Sequence, residues 1–169
     1  MGSGLVEWNR RLTVNLEFLQ RSRHHPVDGD IFEMQISGGP RLLGRVAAAD
    51  IRDSNRAPMP ASNLIYVFRP GVEIDDMVRI RPEDLLLAPI FTNRMGWTRG
   101  YFRHLENRPL GPDGTLSQLC FWDAFLKAYV DGNRRRVTAK SEPCGSWALV
   151  SYLWIDDHVS DALGIPRSD

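Results

Sequence analysis

The sequence predicts an α+β protein that is predominantly β, arranged as an SH3-like antiparallel barrel or a strongly bent sheet. From residue 31 onward, short alternating or continuous apolar segments recur between turns rich in Gly, Pro and Asn, which is typical of β-strands. An amphipathic pattern precedes these segments and a short helical pattern follows them. One N-terminal helix and one short C-terminal helix are therefore expected.

Length and composition place the chain among ordinary globular proteins. It has 169 residues, of which 43% are hydrophobic and 25% charged, enough to bury one large core without metals or disulfides. The 21 basic and 21 acidic residues give a formal net charge of zero. This balance does not favour a nucleic-acid partner or an anionic membrane surface.

The first part of the chain has the spacing of an amphipathic helix over residues 5–20. Its apolar residues recur every three or four positions, at Leu5, Trp8, Leu12, Leu16 and Leu19. Residues 12–18 also alternate, so a strand is the second interpretation. Pro26 ends the polar segment that follows. We therefore expect an N-terminal helix and linker in residues 1–26 and a single β-rich domain in residues 27–169.

The first half of the predicted domain contains three strands. They are expected at Ile31–Ile36, Leu42–Ala49 and Asn63–Arg69, with a Gly-rich hairpin loop after the first. Gly44 interrupts the second strand and marks a bulge or a close approach of another group. The third strand is almost continuously apolar, which indicates an internal position in the sheet.

The middle of the chain is predicted to begin a helical turn at Arg81–Asp84 and to form a short strand at Leu85–Ile90. A further strand is expected at Trp97–Leu105. Trp97, Arg99 and Tyr101 would then share one face of that strand.

The last third is less regular. Residues 116–130 fit either a helix or two strand pieces, and Asp131-Gly132-Asn133 predicts a hairpin turn with a returning strand at Arg135–Ala139. Trp147–Trp154 predicts a strand. A helix is expected at Asp157–Leu163, with Asp156 as N-cap and Gly164 just after its end.

The two cysteines, Cys120 and Cys144, do not form a CxxC pair, and we interpret them as buried thiols in a reducing cytosol. The four histidines lack metal-binding spacing, so neither a metal nor a cofactor is predicted; they are His24, His25, His104 and His158. No apolar run reaches the ~18 residues of a membrane span, and no signal peptide is recognised. A cytoplasmic protein is expected.

Catalytic motifs are not recognised in the sequence. Neither a Gly-rich phosphate loop nor a GxSxG nucleophile motif occurs, so the chain is not expected to be an enzyme. A hydrolase that uses Cys144 or the Asp156-Asp157 pair is a weaker interpretation. Aromatic and Arg residues concentrate in residues 94–103, where they could stack bases and bind phosphates or could build a core.

Several motifs follow one another in a particular order. They are Gly29-Asp30-Ile31-Phe32, Gly44-Arg45-Val46 with Asp50, Asn63–Phe68, Thr92–Phe102, Asn107–Leu110, and Gly145-Ser146-Trp147 with Tyr152 and Ile155–Asp157. This series resembles immunity protein family twenty-six of bacterial polymorphic toxin systems. The resemblance runs from about residue 28 to about residue 163, and its most specific part is the TNRxGWTRGYF block with the NRPL that follows.

The resemblance implies a non-enzymatic protein, a monomer or small homo-oligomer, that binds a toxin C-terminal domain encoded nearby and occludes it. The motif residues would build the scaffold: Asp30, Asn93, Arg94, Trp97, Arg99, Tyr101 and Phe102. Toxin contact would fall on charged loop residues: Arg52, Asp53, Arg56, Glu73, Asp75, Asp76, Arg134, Arg135 and Arg136. The alternative is an SH3-like nucleic-acid-binding module that uses residues 94–103.

Overall fold

A computed structural model describes residues 13–169. Within these residues the strands are β1 (Asp30–Gln35), β2 (Arg41–Ile51), β3 (Ser62–Val67), β4 (Ile90–Thr92), β5 (Arg103–Asn107), β6 (Cys120–Asp123), β7 (Ala128–Val130), β8 (Cys144–Ser146) and β9 (Leu149–Val150). The α-helices are α1 (Met95–Thr98) and α2 (Tyr152–Ala162). Single 3₁₀ turns occupy Ile74–Val78 and Pro82–Asp84.

The strands form two sheets. Six strands lie in the order β5-β1-β2-β3-β4-β9, and a smaller sheet has the order β7-β6-β8. The predicted β-rich α+β class is confirmed, and β3 is internal as its apolar sequence indicated. The SH3-like closed barrel is not observed in the described part of the chain, because the large sheet ends at β5 and β9.

The large sheet stays open because other elements cover both of its faces. On β1, Ile31 belongs to a core that includes Phe121 of the small sheet. The next residue, Phe32, points the opposite way into a second core with Trp97 and Ile155 of the helices. Because successive side chains of a strand point to opposite faces of the sheet, β1 contributes apolar side chains to both cores. The two faces of the large sheet are therefore covered although its edge strands, β5 and β9, do not pair with each other.

Gly44 is the close-approach site that its position in β2 predicted. A Cβ atom at this residue would lie 2.2 Å from Cζ of Phe32, its cross-strand partner in β1. That separation is far below van der Waals contact. The glycine lets the Phe32 ring lie flat over β2 and reach Trp97, with ring centroids 5.0 Å apart.

The helix predicted over residues 5–20 is wrong for residues 13–20, which are extended; residues 5–12 lie outside the described part of the chain. Leu16 forms an antiparallel bridge with Ile36, and the backbone N–H of Glu17 donates to the carbonyl of Gln35 at 2.8 Å. Hydrogen bonds to the end of β1 and the residue after it therefore replace those that a helix would form within itself. Leu16 is 3% exposed, so this segment packs on the domain.

The strand predicted at Trp97–Leu105 is wrong at its start. Residues 95–98 form α1, in which the Asn93 side chain accepts the backbone N–H of Met95 at 2.9 Å. Gly100 ends this helix with φ +92°, and the N–H of Tyr101 donates to the carbonyl of Gly96 at 2.9 Å. This is a Schellman-type end, which needs a residue that tolerates positive φ. Only β5, at the edge of the sheet, is strand.

The C-terminal helix is confirmed, but it begins five residues earlier than Asp157, at Tyr152. The Ser151 side chain accepts the backbone N–H of Trp154, so Ser151 is the N-cap and Asp156 is not. The strand predicted at Trp147–Trp154 is reduced to β9. Gly164 ends the helix with φ +69°, as its position predicted.

Three further predictions are partly correct. The apolar segment Leu85–Ile90 makes one bridge, Leu85 with Phe68, before β4 begins at Ile90. Residues 116–130 adopt the two-strand alternative as β6 and β7. The strand predicted to return at Arg135–Ala139 is limited to a bridge between Arg136 and Val130.

The interpretation of the cysteines as free thiols is wrong. Cys120 of β6 and Cys144 of β8 are joined in a disulfide, and the parallel register of these neighbouring strands pairs the two residues directly. The bond ties the small sheet together across a sequence separation of 24. In residues 13–169, no helix has the length and apolar character that crossing a bilayer requires.

Candidate protein-binding surface

The connection between β2 and β3 carries three of the charged residues predicted to contact a toxin. Arg52, Asp53 and Arg56 are all exposed. The side chain of Asp53 accepts the backbone N–H of Asn55 at 2.8 Å, and its carbonyl accepts that of Arg56 at 3.0 Å. This Asx-type turn fixes the loop locally. The charges are therefore presented from a defined backbone rather than from a free coil.

A surface depression of about 590 Å³ adjoins this loop; we call it the β2–β3 depression. Its lining residues are His25, Pro26, Val27, Asp50, Arg52, Ala61, Asn63, Asn93 and Arg94. It joins the charged β2–β3 loop to the Thr92-Asn93-Arg94 motif that begins α1. The fold thus brings together two regions that the sequence assigned to separate roles.

The charges around the β2–β3 depression are mixed and accessible. Nη2 of Arg52 lies 2.7 Å from Oδ1 of Asp50, and these side chains are 68% and 63% exposed. Nη1 of Arg94 donates to the ring of His25, with a closest distance of 2.7 Å. Exposed pairs of this kind contribute little to stability. Both guanidinium groups can therefore exchange these contacts for a partner's carboxylates.

Exposed apolar side chains accompany these charges. Val27 lines the depression and is 49% exposed, Met59 on the β2–β3 loop is 53% exposed, and Met95 beside Arg94 is 38% exposed. Met and Arg are enriched at protein–protein interfaces relative to the rest of the surface. The composition of this region fits a protein partner.

The acidic residues Glu73, Asp75 and Asp76 lie apart from this surface. They follow β3, whereas the β2–β3 loop precedes it, so the six residues of β3 separate them by roughly 20 Å. Asp76 accepts the backbone N–H of Glu73 at 3.0 Å, and Asp75 pairs with Arg108 at 2.8 Å. All three are exposed, but two of them have local structural partners.

The run Arg134-Arg135-Arg136 lies at the hairpin turn after β7. Arg135 and Arg136 are exposed. Arg134 is only partly exposed: its Nε lies 2.8 Å from Oδ2 of the buried Asp123, and its guanidinium lies 5.8 Å from the centre of the Trp147 ring. Arg134 therefore stabilises the small sheet, which sequence reasoning did not anticipate.

The motif residues predicted to build the scaffold fall into two groups. Trp97, Phe102 and Asp30 are buried, and Tyr101 is half-buried with its ring stacked on Tyr152 at 5.0 Å. The polar members lie at the surface around α1: Asn93, Arg94 and Arg99. The side chain of Asn93 accepts the N–H of Met95, the first residue of α1, whereas the side chain of Arg99 makes no hydrogen bond to residues 13–169.

Burial also bears on the alternative functions. Trp97 and Phe102 are 0% exposed, so bases cannot stack on them in this conformation, and a nucleic-acid platform at residues 94–103 would lack two of its three rings. Cys144 is in the disulfide and has no thiol to act as nucleophile. The carboxylate of Asp156 accepts the N–H groups of Asn15 and Leu16 at 3.2 and 2.7 Å.

The Asp123–Arg134 pair predicts a pH dependence of stability. Burial acts to raise the pKa of Asp123, but the Arg134 guanidinium and the N–H groups of Leu126 and Phe125 outweigh it, so this pKa is lowered. A lowered pKa stabilises the fold above the unfolded-state pKa, and that contribution is lost on acidification. The free energy of unfolding is therefore expected to fall below about pH 4.

Urea unfolding between pH 2 and pH 7 measures this effect. In Asp123→Asn the fall below about pH 4 is expected to be shallower than in the wild type, because the titrating carboxylate is gone. Asp113→Asn, at an exposed aspartate, serves as the control and is expected to keep the wild-type slope. Equal slopes for all three proteins would contradict the assignment.

Comparison of the chain with protein-family models, curated proteins and solved structures finds no match. The immunity-family resemblance therefore stays a prediction.

Sequence reasoning missed one cluster. His24 and His104, distant in the sequence, both approach the buried carboxylate of Asp30. The pairing of β1 with β5 brings His104 to Asp30, and the segment before β1 brings His24 there, so sequence spacing carried no signal.

Proposed function

We propose that this protein is an immunity protein, which binds a bacterial toxin domain encoded nearby and blocks it stoichiometrically. The sequence resemblance suggests this function. The observation that supports it most directly is the surface around the β2–β3 depression, where accessible guanidinium groups and exposed Met and Val side chains surround a concave site. A binding protein needs such a surface on a rigid scaffold, and it needs no catalytic group.

The proposed contact surface is centred on the β2–β3 depression. Arg52 and Arg94 would pair with carboxylates of the toxin domain, and Met59 and Val27 would supply apolar contact next to them. A standard interface covers about 800 Å² on each partner, so the toxin domain would extend beyond the depression. Glu73, Asp75 and Asp76 lie roughly 20 Å away along β3 and would contact only a large partner.

The protein is proposed to act in the cytoplasm of the producing cell, as a monomer or small homo-oligomer without enzymatic activity. Disulfides are rare in a reducing cytosol. In that compartment Cys120 and Cys144 would be largely reduced, whereas an export route would keep them joined. The proposal therefore requires that the reduced protein also bind its partner.

Binding to the C-terminal domain of the toxin encoded beside this gene tests the proposal. Arg52→Glu and Arg94→Glu are each expected to weaken the Kd at least tenfold, about 1.4 kcal/mol, because each places a carboxylate against the partner's acidic group. Isothermal titration calorimetry with and without reductant measures the Kd, and co-expression measures whether cells survive the toxin.

Arg79→Glu is the matched control, since Arg79 is exposed and lies on the other side of β3, beyond the acidic 3₁₀ turn. It is expected to leave the Kd unchanged. If Arg135→Glu weakens binding and Arg52→Glu does not, the contact surface lies at the β7 hairpin turn instead. If the neighbouring domain neither binds nor is neutralised, the proposed function is wrong.

A further inference from the structure

We propose that His24, Asp30 and His104 form a binding site for a divalent transition-metal ion of the zinc type. Imidazole nitrogen and carboxylate oxygen are the ligand atoms that such ions take from proteins alongside thiolate. One ligand atom from each of the three residues lies within 4.8 Å of the other two. This site is separate from the β2–β3 depression and does not depend on toxin binding.

The distances from Asp30 suit a metal ion after small side-chain shifts, and the His24 and His104 rings, which are stacked with centroids 4.1 Å apart, would have to tilt so that both nitrogens face it. Nε2 of His24 lies 2.6 Å from Oδ2 of Asp30, and Nδ1 of His104 lies 3.7 Å from the same oxygen. Ligands of a tetrahedral Zn²⁺ at about 2.0–2.1 Å are about 3.4 Å from one another. The first pair must open and the second must close, each by less than about 1 Å. The ion would replace the hydrogen bond between Nε2 of His24 and Oδ2 of Asp30.

A β-bulge places His104 at the site. The register between β1 and β5 shifts between Ile31 and Phe32, so that Ile31 pairs with Glu106 but Phe32 pairs with His104. Without this shift Leu105 would oppose Phe32. The bulge therefore moves His104 to the face of the sheet on which Asp30 and Phe32 lie. Bulges commonly re-aim a side chain in this way next to functional sites.

His104 provides an independent indication of a ligand-binding role. Its Nδ1 atom is buried yet has no hydrogen-bond partner among residues 13–169. Leaving a buried polar atom unpaired is unfavourable, and such atoms are few in native proteins. The unpaired nitrogen faces Asp30, where a metal ion would satisfy it.

Surrounding hydrogen bonds orient the proposed ligands. Asp30 is 1% exposed; its Oδ1 accepts Nδ2 of Asn107, and its Oδ2 accepts the backbone N–H of Val27, both at 2.9 Å. The backbone N–H of His24 donates to Oγ of Ser22 at 2.9 Å. Metal ligands in proteins are typically supported by such partners, which fix them in the binding geometry.

The segment before β1 that carries His24 is hydrogen-bonded to α1 and to the glycine that ends it. The N–H of Ser22 donates to the carbonyl of Trp97 at 3.2 Å, and the N–H of Leu19 donates to that of Gly100 at 2.8 Å. The motif that resembles the immunity family thus positions His24.

The His24 and His104 side chains are 32% and 28% exposed, so a fourth coordination position would open to solvent, where water would complete a tetrahedral zinc ion.

Zinc titration of the purified full chain, with any affinity tag removed and bound metal stripped, tests the site. We expect one Zn²⁺ per chain, measured by competition with a chromophoric chelator, and a visible Co²⁺ spectrum of tetrahedral nitrogen–oxygen coordination. His24→Ala and His104→Ala are each expected to weaken Zn²⁺ binding at least about tenfold, because a direct ligand is lost. Zn²⁺ should raise the thermal unfolding midpoint of the wild type clearly more than that of His24→Ala or His104→Ala.

His25→Ala is the matched control, since His25 is the exposed neighbour of His24 and contacts Arg94 instead. It is expected to bind Zn²⁺ as the wild type does. Circular dichroism in the presence of a chelator shows whether each variant folds without metal. If His104→Ala does not fold, the Zn²⁺ affinity of His24→Ala alone tests the site, because His24 lies outside the sheet. The proposal is overturned if the wild type binds no stoichiometric Zn²⁺, or if His25→Ala weakens binding as much as His24→Ala.

Discussion

Replacing Trp97 by Ala is expected to lower the free energy of unfolding by about 3–5 kcal/mol, the range for large aromatics removed from a core. Trp97 is 0% exposed. Its ring contacts Phe32 and Phe102 edge-on, with centroids 5.0 and 5.1 Å away. It joins α1 to β1 and to the residue before β5, so its removal would leave a cavity at that junction.

Urea unfolding followed by fluorescence or circular dichroism measures this loss. Trp122→Ala is the matched control: Trp122 also contacts an aromatic ring, that of Tyr129 at 5.0 Å, but is 40% exposed. Its loss should cost clearly less than that of Trp97. Full stability of Trp97→Ala combined with lost partner binding would contradict the packing role and make this residue part of an interface.

The strands that the sequence predicted well are those in which apolar periodicity decides the structure. β1, β2 and β3 each carry long apolar segments between turns, and their predicted bounds agree with the structure to within two residues. Hydrophobic burial on the two faces of the sheet decides the structure there, and local hydrogen bonds that would favour another conformation are weak. The end of α2 is also predicted well, because Gly164 marks it, although the helix begins five residues earlier than predicted.

Prediction failed where local hydrogen bonds override periodicity. The alternation of Trp97, Arg99 and Tyr101 suggested a strand, but the Asn93 side chain bonds the N–H of Met95, where a helical turn begins, and Gly100 ends the turn with a positive φ. Those two residues were the available signal, since an Asn and a Gly seven positions apart can bound one helical turn. The helix predicted for residues 13–20 is wrong for a different reason: these residues pair with Gln35 and Ile36, which are distant in the sequence.

The candidate sites were partly predictable. The exposed charges of Arg52 and Arg94 can be recognised as polar turn residues, but their convergence on one depression depends on the order of β2, β3 and β4. His104 reaches Asp30 and His24 only through a one-residue bulge. A shift of one residue in strand register reverses the face of every side chain, and composition does not encode such a shift.

The disulfide carries the second large effect on stability. Replacing Cys120 and Cys144 together by Ala is expected to lower the free energy of unfolding by about 2–4 kcal/mol, because the unfolded chain regains the freedom of a loop closed across 24 residues. Cys120 is also buried at 1% exposure in the core beside Phe121, so Ala, rather than a polar residue, keeps the site apolar.

Unfolding of the wild type and of the double variant, each with and without reductant, separates the contributions. Reductant should destabilise only the wild type, and to nearly the level of the double variant, since both then lack the same covalent link. An unchanged wild type in reductant would mean that packing of β6 against β8 holds the small sheet by itself. A large loss would mean that the covalent link, rather than this packing, holds the small sheet together.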